Sequence, residues 1–174
     1  MGREVRRVPA DWQHPRIERL DHRSGRMVES YQPMFDRPFA AAMQDWYDEW
    51  KKWERGERPS YASEACASMT YWEWNGGPPD PAYHRPDWPE ATRTHLMMYE
   101  DTSEGTPISP AFETPEELAR WLVDNDASAF ADRTASYEGW LAIARGGYAP
   151  SMVHDAAGTR SGVEAAAEPH VEKQ

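Results

Sequence analysis

Aliphatic side chains are scarce in this sequence: Leu, Ile and Val together make only 15 of its 174 residues, and 19 with Phe added. With a net charge of −11 and a mean hydropathy of −0.91, such a chain would ordinarily stay disordered. Other scarcities narrow the reading. The single cysteine, Cys66, forbids an intramolecular disulfide framework and suits a reducing compartment. No apolar run approaches the roughly 18 residues that a membrane span needs. Arg3, Arg6 and Arg7 precede no apolar stretch, so no secretory signal is expected, and Arg6 stands where a myristoylation motif needs Ser or Thr. The glycine pairs Gly76-Gly77 and Gly146-Gly147 match neither the dinucleotide nor the phosphate-loop pattern. What the chain does have is aromatic mass, with 9 Trp, 8 Tyr, 4 Phe and 8 Met. Each ring can bury roughly 150–250 Å², so rings and methionines can build the core that aliphatics cannot.

Charge is unevenly spread. Residues 1–26 carry seven Arg against four acids, and residues 80–138 carry four bases against thirteen acids. An acidic whole disfavours general nucleic-acid binding, which needs clustered Lys and Arg.

The expected fold class is α+β and helix-rich. It is a single compact domain over residues 1–155 with a small β-sheet or hairpin, an aromatic Trp/Met core and a long proline-rich loop. Residues 156–174 are expected to form a flexible C-terminal tail. Arg3–Val8 reads as a short edge strand stopped by Pro9, and the following stretch to Gly25 as polar and turn-rich. Phe39, Met43, Trp46, Trp50 and Trp53 recur at three- and four-residue spacing, which predicts a helix over about 38–55 with Asp36 as its cap. A weaker helix is expected between Ser60 and Trp74. Five prolines between Pro78 and Pro89 break regular structure, and Tyr83, His84 and Trp88 lie among them. Residues 94–99 read as a strand. Thr114-Pro115-Glu116-Glu117 carries a cap, a first-turn proline and a capping-box glutamate. Ser136 opens another short helix, ended by Gly146-Gly147. Trp46, Trp50, Trp121 and Trp140 are the expected buried rings.

Several segments together resemble a family of small proteins encoded by bacteriophages and prophages. They are Gly2–Trp12, Tyr99-Glu100-Asp101-Thr102 with Gly105–Pro110, Thr114–Leu122, Ser136–Leu141 and Ser161–Ala165. The resemblance omits the stretch from about Asp21 to Glu73. It implies a phage origin and expression in the bacterial host cytoplasm, and it brings no catalytic residues with it.

The six histidines include no pair spaced i, i+4, and Cys66 has no Cys or His within four residues, so neither metal nor cofactor is expected. Cys66 lies between alanines on an apolar face, where packing explains it better than nucleophilic chemistry. The Trp46, Trp50 and Trp53 stripe could stack sugars or bases, but helical spacing favours core. The leading expectation is a non-enzymatic acidic binding protein that inhibits a host defence protein or complex, an anti-CRISPR or another nucleic-acid mimic. Glu100, Asp101 and Glu104 are the expected partner-binding carboxylates and Trp88 and Tyr83 the aromatic anchors. No direct nucleic-acid contact and no membrane are expected. One alternative sequesters a small-molecule nucleotide signal in an aromatic pocket of Tyr83, Trp88, Arg85 and Arg93. Another is a small enzyme acting on nucleotides or sugars through Glu100, Asp101 and His95.

Overall fold

Val5 and Met98 face each other across a pair of antiparallel strands, and the fold grows outward from that pair. The computed structural model describes residues 2–101, 105–155 and 158–167. In chain order the elements are β1 (Arg3–Val8), β2 (Arg16–Asp21), β3 (Arg26–Tyr31), β4 (Phe35–Pro38), α1 (Phe39–Glu54), α2 (Tyr71–Asn75), β5 (His84–Arg85), β6 (His95–Glu100), β7 (Thr106–Pro107), α3 (Pro115–Asp124), α4 (Tyr137–Gly146), β8 (Tyr148–Ala149), β9 (Met152–Asp155), β10 (Gly158–Ser161) and α5 (Gly162–Ala166). Short 3₁₀ turns lie at Glu64–Ser68, Pro81–Tyr83 and Glu90–Thr92. Helix and strand are nearly balanced, so the architecture is mixed α and β with small sheets rather than helix-dominated. The chain divides into two compact units, one of Met1–Pro33 with Trp88–Gln174 and one of Met34–Asp87. The middle segment has its own Trp cluster.

In the larger unit the sheet order is β7-β6-β1-β8. Strand β1 is therefore central, not an edge. Pro9 lies just beyond its last paired residue, so every β1 amide is free to pair, and Val5 N–H reaches the Gly147 carbonyl on the second side at 2.8 Å. Strand alternation sorts the side chains. Val5, Leu96 and Met98 point to one face and pack with Leu118 and Leu122 of α3, Trp140 and Ile143 of α4 and Val163 of α5. Val8, Met97 and Tyr99 point to the other, against Trp12 and Trp88. Helix α3 opens as expected, with the Thr114 hydroxyl accepting from Glu117 N–H and Glu117 reaching back to Thr114 N–H. The Ser136 hydroxyl caps α4 by accepting from Gly139 N–H, and Gly147 ends the helix in the left-handed region at φ 90°.

The segment expected to be a tail is structured where it is described. Strands β9 and β10 pair, Val163 is fully buried, and Glu164 accepts from the Ser136 N–H at 2.7 Å. Small residues make this docking possible: a Cβ on Gly162 would lie 2.0 Å from the Pro150 carbonyl oxygen, and one on Gly139 2.9 Å from that of Val163. The expected tail from residue 168 onward lies outside the described residues.

The polar stretch from Arg16 to Tyr31 is a six-pair antiparallel hairpin. Its first strand falls in the stretch to Gly25 expected to be turn-rich, and it is hidden there because neither face of the hairpin is apolar enough to show a period of two.

In the smaller unit, α1 spans nearly the predicted residues, but Asp36 does not cap it. Pro38 is the cap position, without a side-chain bond, and Asp36 pairs with Arg85 instead at 2.9 Å. Trp53 is the buried ring of the stripe, its indole N–H donating to the Met69 carbonyl at 2.9 Å. Trp46 and Trp50 are only half-buried and stack at 6.4 Å. Trp121 is likewise half-buried, while Trp140 is fully covered. The proline-rich stretch is not a plain loop. Asp80 caps the Pro81–Tyr83 turn through Ala82 N–H, and β5 pairs in parallel with β4.

Candidate functional site

Glu100 and Asp101 end β6 half-buried, not in a free acidic turn. The reason is Arg3, which stands opposite Glu100 in the register and is only 2% exposed. Its guanidinium donates to the Ser128 carbonyl at 2.8 Å, the Gly2 carbonyl at 3.0 Å and the Ser128 hydroxyl at 3.2 Å. Burial pushes the Arg3 pKa down, and the charges of Glu100 and Asp101 push it back up. A buried guanidinium needs such compensation, because an uncompensated charge in the interior costs several kcal/mol, of order 3–5 when a partner is removed. Glu100 also accepts from the Thr106 hydroxyl at 3.2 Å. The Tyr148 phenol bonds to Asp101, which raises the phenol's pKa. Both carboxylates thus have structural work inside the unit. Glu104 lies outside the described residues.

Trp88 is half-buried and packs edge-on against Trp12 at 4.7 Å. Tyr83, 43% exposed, and Arg85 belong to the smaller unit, whereas Trp88 and Arg93 belong to the larger. Each arginine also has its own carboxylate, Asp36 for Arg85 and Glu90 for Arg93. His95 and Glu100 sit at opposite ends of β6, about 17 Å apart at the usual strand rise. Among the described residues no three His, Cys, Asp or Glu side chains come together as a metal site.

A different surface gathers the acidic middle of the chain. Helix α3 buries Leu118, Ala119 and Leu122, so its outward face carries Glu117, Arg120, Trp121 and Asp124. This face borders an open groove of about 500 Å³ with Phe112, Trp121 and Tyr137 as its aromatic lining and Glu116, Glu117 and Asp124 as its acids. Phe112 and Trp121 lie 6.1 Å apart, and the Arg120 guanidinium stacks 4.4 Å over Tyr137. All three acids are exposed. Glu117 is held by the capping box. Glu116 accepts from Arg145, a bond that holds its carboxyl below the usual range and keeps it ionised. Asp124 ends the helix, where the macrodipole is unfavourable to an anion. The Asp124 carboxylate is not favoured by the helix dipole, and it lines the groove with the half-buried rings of Phe112, Trp121 and Tyr137.

On the other face of the sheet lies a second concavity, of about 400 Å³, lined by Trp12, His14, Arg16, Tyr31, Met97 and the 107–111 segment. Trp121 lines this one also. Its polar groups are turned inward. His14 is buried, with Nε2 2.7 Å from the Gln32 carbonyl and Nδ1 3.1 Å from the Tyr99 hydroxyl, to which Trp12 also donates. The Ser109 hydroxyl accepts from Met98 N–H and donates to the Pro110 carbonyl. Arg16 is shared between Glu29 and Tyr31. What remains for a ligand is a mixture of ring, aliphatic and polar surface. The groove escaped the sequence reading because Trp121 was assigned to the core and Glu116 and Glu117 to the helix terminus. The signal that could have found it is Asp124, an acid at the wrong end of a well-capped helix.

No helix is long and apolar enough to cross a membrane. Comparison with family models, with curated proteins and with solved structures finds no match.

Proposed function

We propose that this chain is a non-enzymatic binding protein, and that the acidic aromatic groove on α3 is its docking surface. The partner of best fit is a basic, nucleic-acid-handling host defence factor, met in the cytoplasm of a bacterium infected by the phage that encodes the chain. The observation that supports the reading is a groove lined by the half-buried rings of Phe112, Trp121 and Tyr137 and bordered by the exposed Glu116, Glu117 and Asp124. Aromatic rings supply the buried anchors of an interface, and surrounding charges supply encounter rate and register. Carboxylates on a protein of net charge −11 repel nucleic acid and favour approach to the basic channel that would hold it. On this reading the mimicking carboxylates are those of α3, because Glu100 and Asp101 face the buried Arg3.

The test is expression of the chain in a host protected by a CRISPR or restriction system, read as plating of the targeted phage. The parent should restore plating, and Glu116→Lys/Asp124→Lys should not. Glu117 is left alone because it holds the capping box. Failure of the parent across such systems would overturn the reading. A second reading, sequestration of a planar small molecule, is favoured by the ring-lined concavity around Trp12, Tyr31 and Trp121. It expects a ligand released on heating the purified protein, and loss of that ligand in Trp12→Ala but not in the α3 double variant.

A further inference from the structure

The smaller unit has a concavity of its own, of about 420 Å³, within the roughly 300–1,000 Å³ of small-molecule sites. It is built entirely from α1, α2 and the chain between them. Trp53, Tyr61, Tyr71 and Trp74 are its rings. Trp74 stacks with Trp53 at 5.3 Å and with Tyr61 at 6.2 Å, and the Arg58 guanidinium covers Trp53 at 3.8 Å. The inner rings are thus taken up by one another, and Tyr61, 79% exposed, supplies the open ring. The frame is fixed before any ligand arrives. Gly56, left-handed at φ 84°, ends α1, and Glu57 N–H returns to the Lys52 carbonyl at 3.0 Å. The Trp53 indole holds the Met69 carbonyl, and the Thr70–Glu73 capping box opens α2. A preformed site spends little binding energy on ordering.

The charges along this concavity are already matched. Lys52 pairs with Glu49 at 2.6 Å, and Glu57 with Arg55 at 2.8 Å. Arg58 donates to the Trp53 and Glu57 carbonyls at 2.6 and 3.1 Å. A phosphate here meets two carboxylates and a quaternary ammonium meets two cations, so neither sign is selected. What stands unmatched is neutral. Tyr71 is only 7% exposed, yet its hydroxyl has no hydrogen bond among the described residues, and neither has the Trp74 indole N–H or the Asn75 amide. A nearly buried hydroxyl without a partner calls for one. Burial first, then Glu49 and Tyr61, push the Tyr71 pKa up against Lys52, so the phenol stays protonated and both donates and accepts.

We infer that this concavity is a saccharide site, taking a neutral pyranose whose C–H face lies on Tyr61 and whose hydroxyls bond to Tyr71, Trp74 and Asn75. The negative face of an aromatic ring suits the polarised C–H groups of a sugar. A pyranose also carries hydroxyls around its whole edge, which fits neutral groups of both hydrogen-bonding senses. A nucleobase fits less well, because the faces of Trp53 that could clamp it are occupied by Arg58 and Trp74. The site shares no residue with the α3 groove and does not depend on the proposed function.

The experiment uses the purified full chain and ligand-observed saturation-transfer NMR. The probes are the methyl glycosides of glucose, galactose, mannose and N-acetylglucosamine, each titrated to about 50 mM, since one open ring holds a monosaccharide only weakly. At least one should bind saturably, with transfer strongest at the C–H protons of one face. Tyr61→Ala should weaken it about tenfold and Tyr61→Phe should not, because the ring and not its hydroxyl makes the platform. Tyr71→Phe removes one hydroxyl and should weaken it about two- to tenfold. Circular dichroism should be unchanged in all three, because Tyr61 is exposed and Tyr71→Phe keeps its ring. Trp12→Ala and Glu116→Lys/Asp124→Lys should bind as the parent does. Silence toward all four glycosides overturns the inference, as does binding indifferent to Tyr61→Ala and Tyr71→Phe, or lost in Trp12→Ala. Displacement of the glycoside by adenosine, adenosine monophosphate or choline at lower concentration also overturns it. Silence toward glycosides would leave the plating result above untouched, so the two failures can be told apart.

Discussion

His14 has one consistent arrangement. The Gln32 carbonyl can only accept, so Nε2 carries the proton and Nδ1 is the acceptor. The Tyr99 hydroxyl faces both Nδ1 and, at 3.4 Å, the Met97 sulfur, and it donates to the nitrogen, the stronger acceptor. Burial lowers the His14 pKa below its ordinary 6.5, the Gln32 carbonyl opposes that, and the Arg6 charge adds to it. Because the unfolded chain takes up this proton first, stability is full above about pH 6.5 and falls as the pH drops through the window below it. Thermal melts from pH 7.5 to 5 should therefore fall, and His14→Gln should flatten that slope despite a lower starting stability. An unchanged slope would remove His14 as its source. Arg3 makes a second residue-scale prediction. Arg3→Ala abandons Glu100 and Asp101 and should cost about 3–5 kcal/mol, whereas Arg7→Ala, exposed on the same strand, should stay within about 0.5 kcal/mol. Denaturant midpoints measure both. That Glu100 and Asp101 lie beside Arg3 is not legible in the sequence, since an arginine nearly a hundred residues away gives no local sign that it will be buried there.

At the scale of elements, what was legible followed the strength of local rules. The Thr114 capping box, the Ser136 cap and the Gly147 stop were read correctly because the partners of each lie within a few residues. The β2–β3 hairpin was not, because its faces mix Arg, Glu, Leu and Met with no apolar side. Helix α5 was missed because Ala and Gly look like a tail until their small size is seen to admit close packing. That packing is testable. Gly162→Ala drives a methyl into the Pro150 carbonyl and should cost about 1–3 kcal/mol. Gly146→Ala meets open space at the end of α4 and should gain about 0.4–1 kcal/mol. Equal effects of the two in urea unfolding would contradict the docked C-terminal helix.

Across the whole molecule, acidic charge is spent in two ways. Part of it neutralises cations of the fold, as at Arg3 and Arg85, and part is exposed on α3 beside the half-buried rings of Phe112, Trp121 and Tyr137. Asp124 separates the two uses, because it stands at the negative end of its helix. Asp124→Lys should stabilise the fold by about 0.3–1 kcal/mol while weakening docking. Phage plating on a defence-protected host is the most direct measurement, comparing the parent, Glu116→Lys/Asp124→Lys, and Asp48→Lys/Glu54→Lys on the exposed face of α1 as a control of equal charge change. The expected result is plating restored by the parent and the α1 variant and lost in the α3 variant, although the α3 variant melts no earlier than Glu116→Lys alone. Full activity of a folded α3 variant would contradict the assignment of the groove as the docking surface.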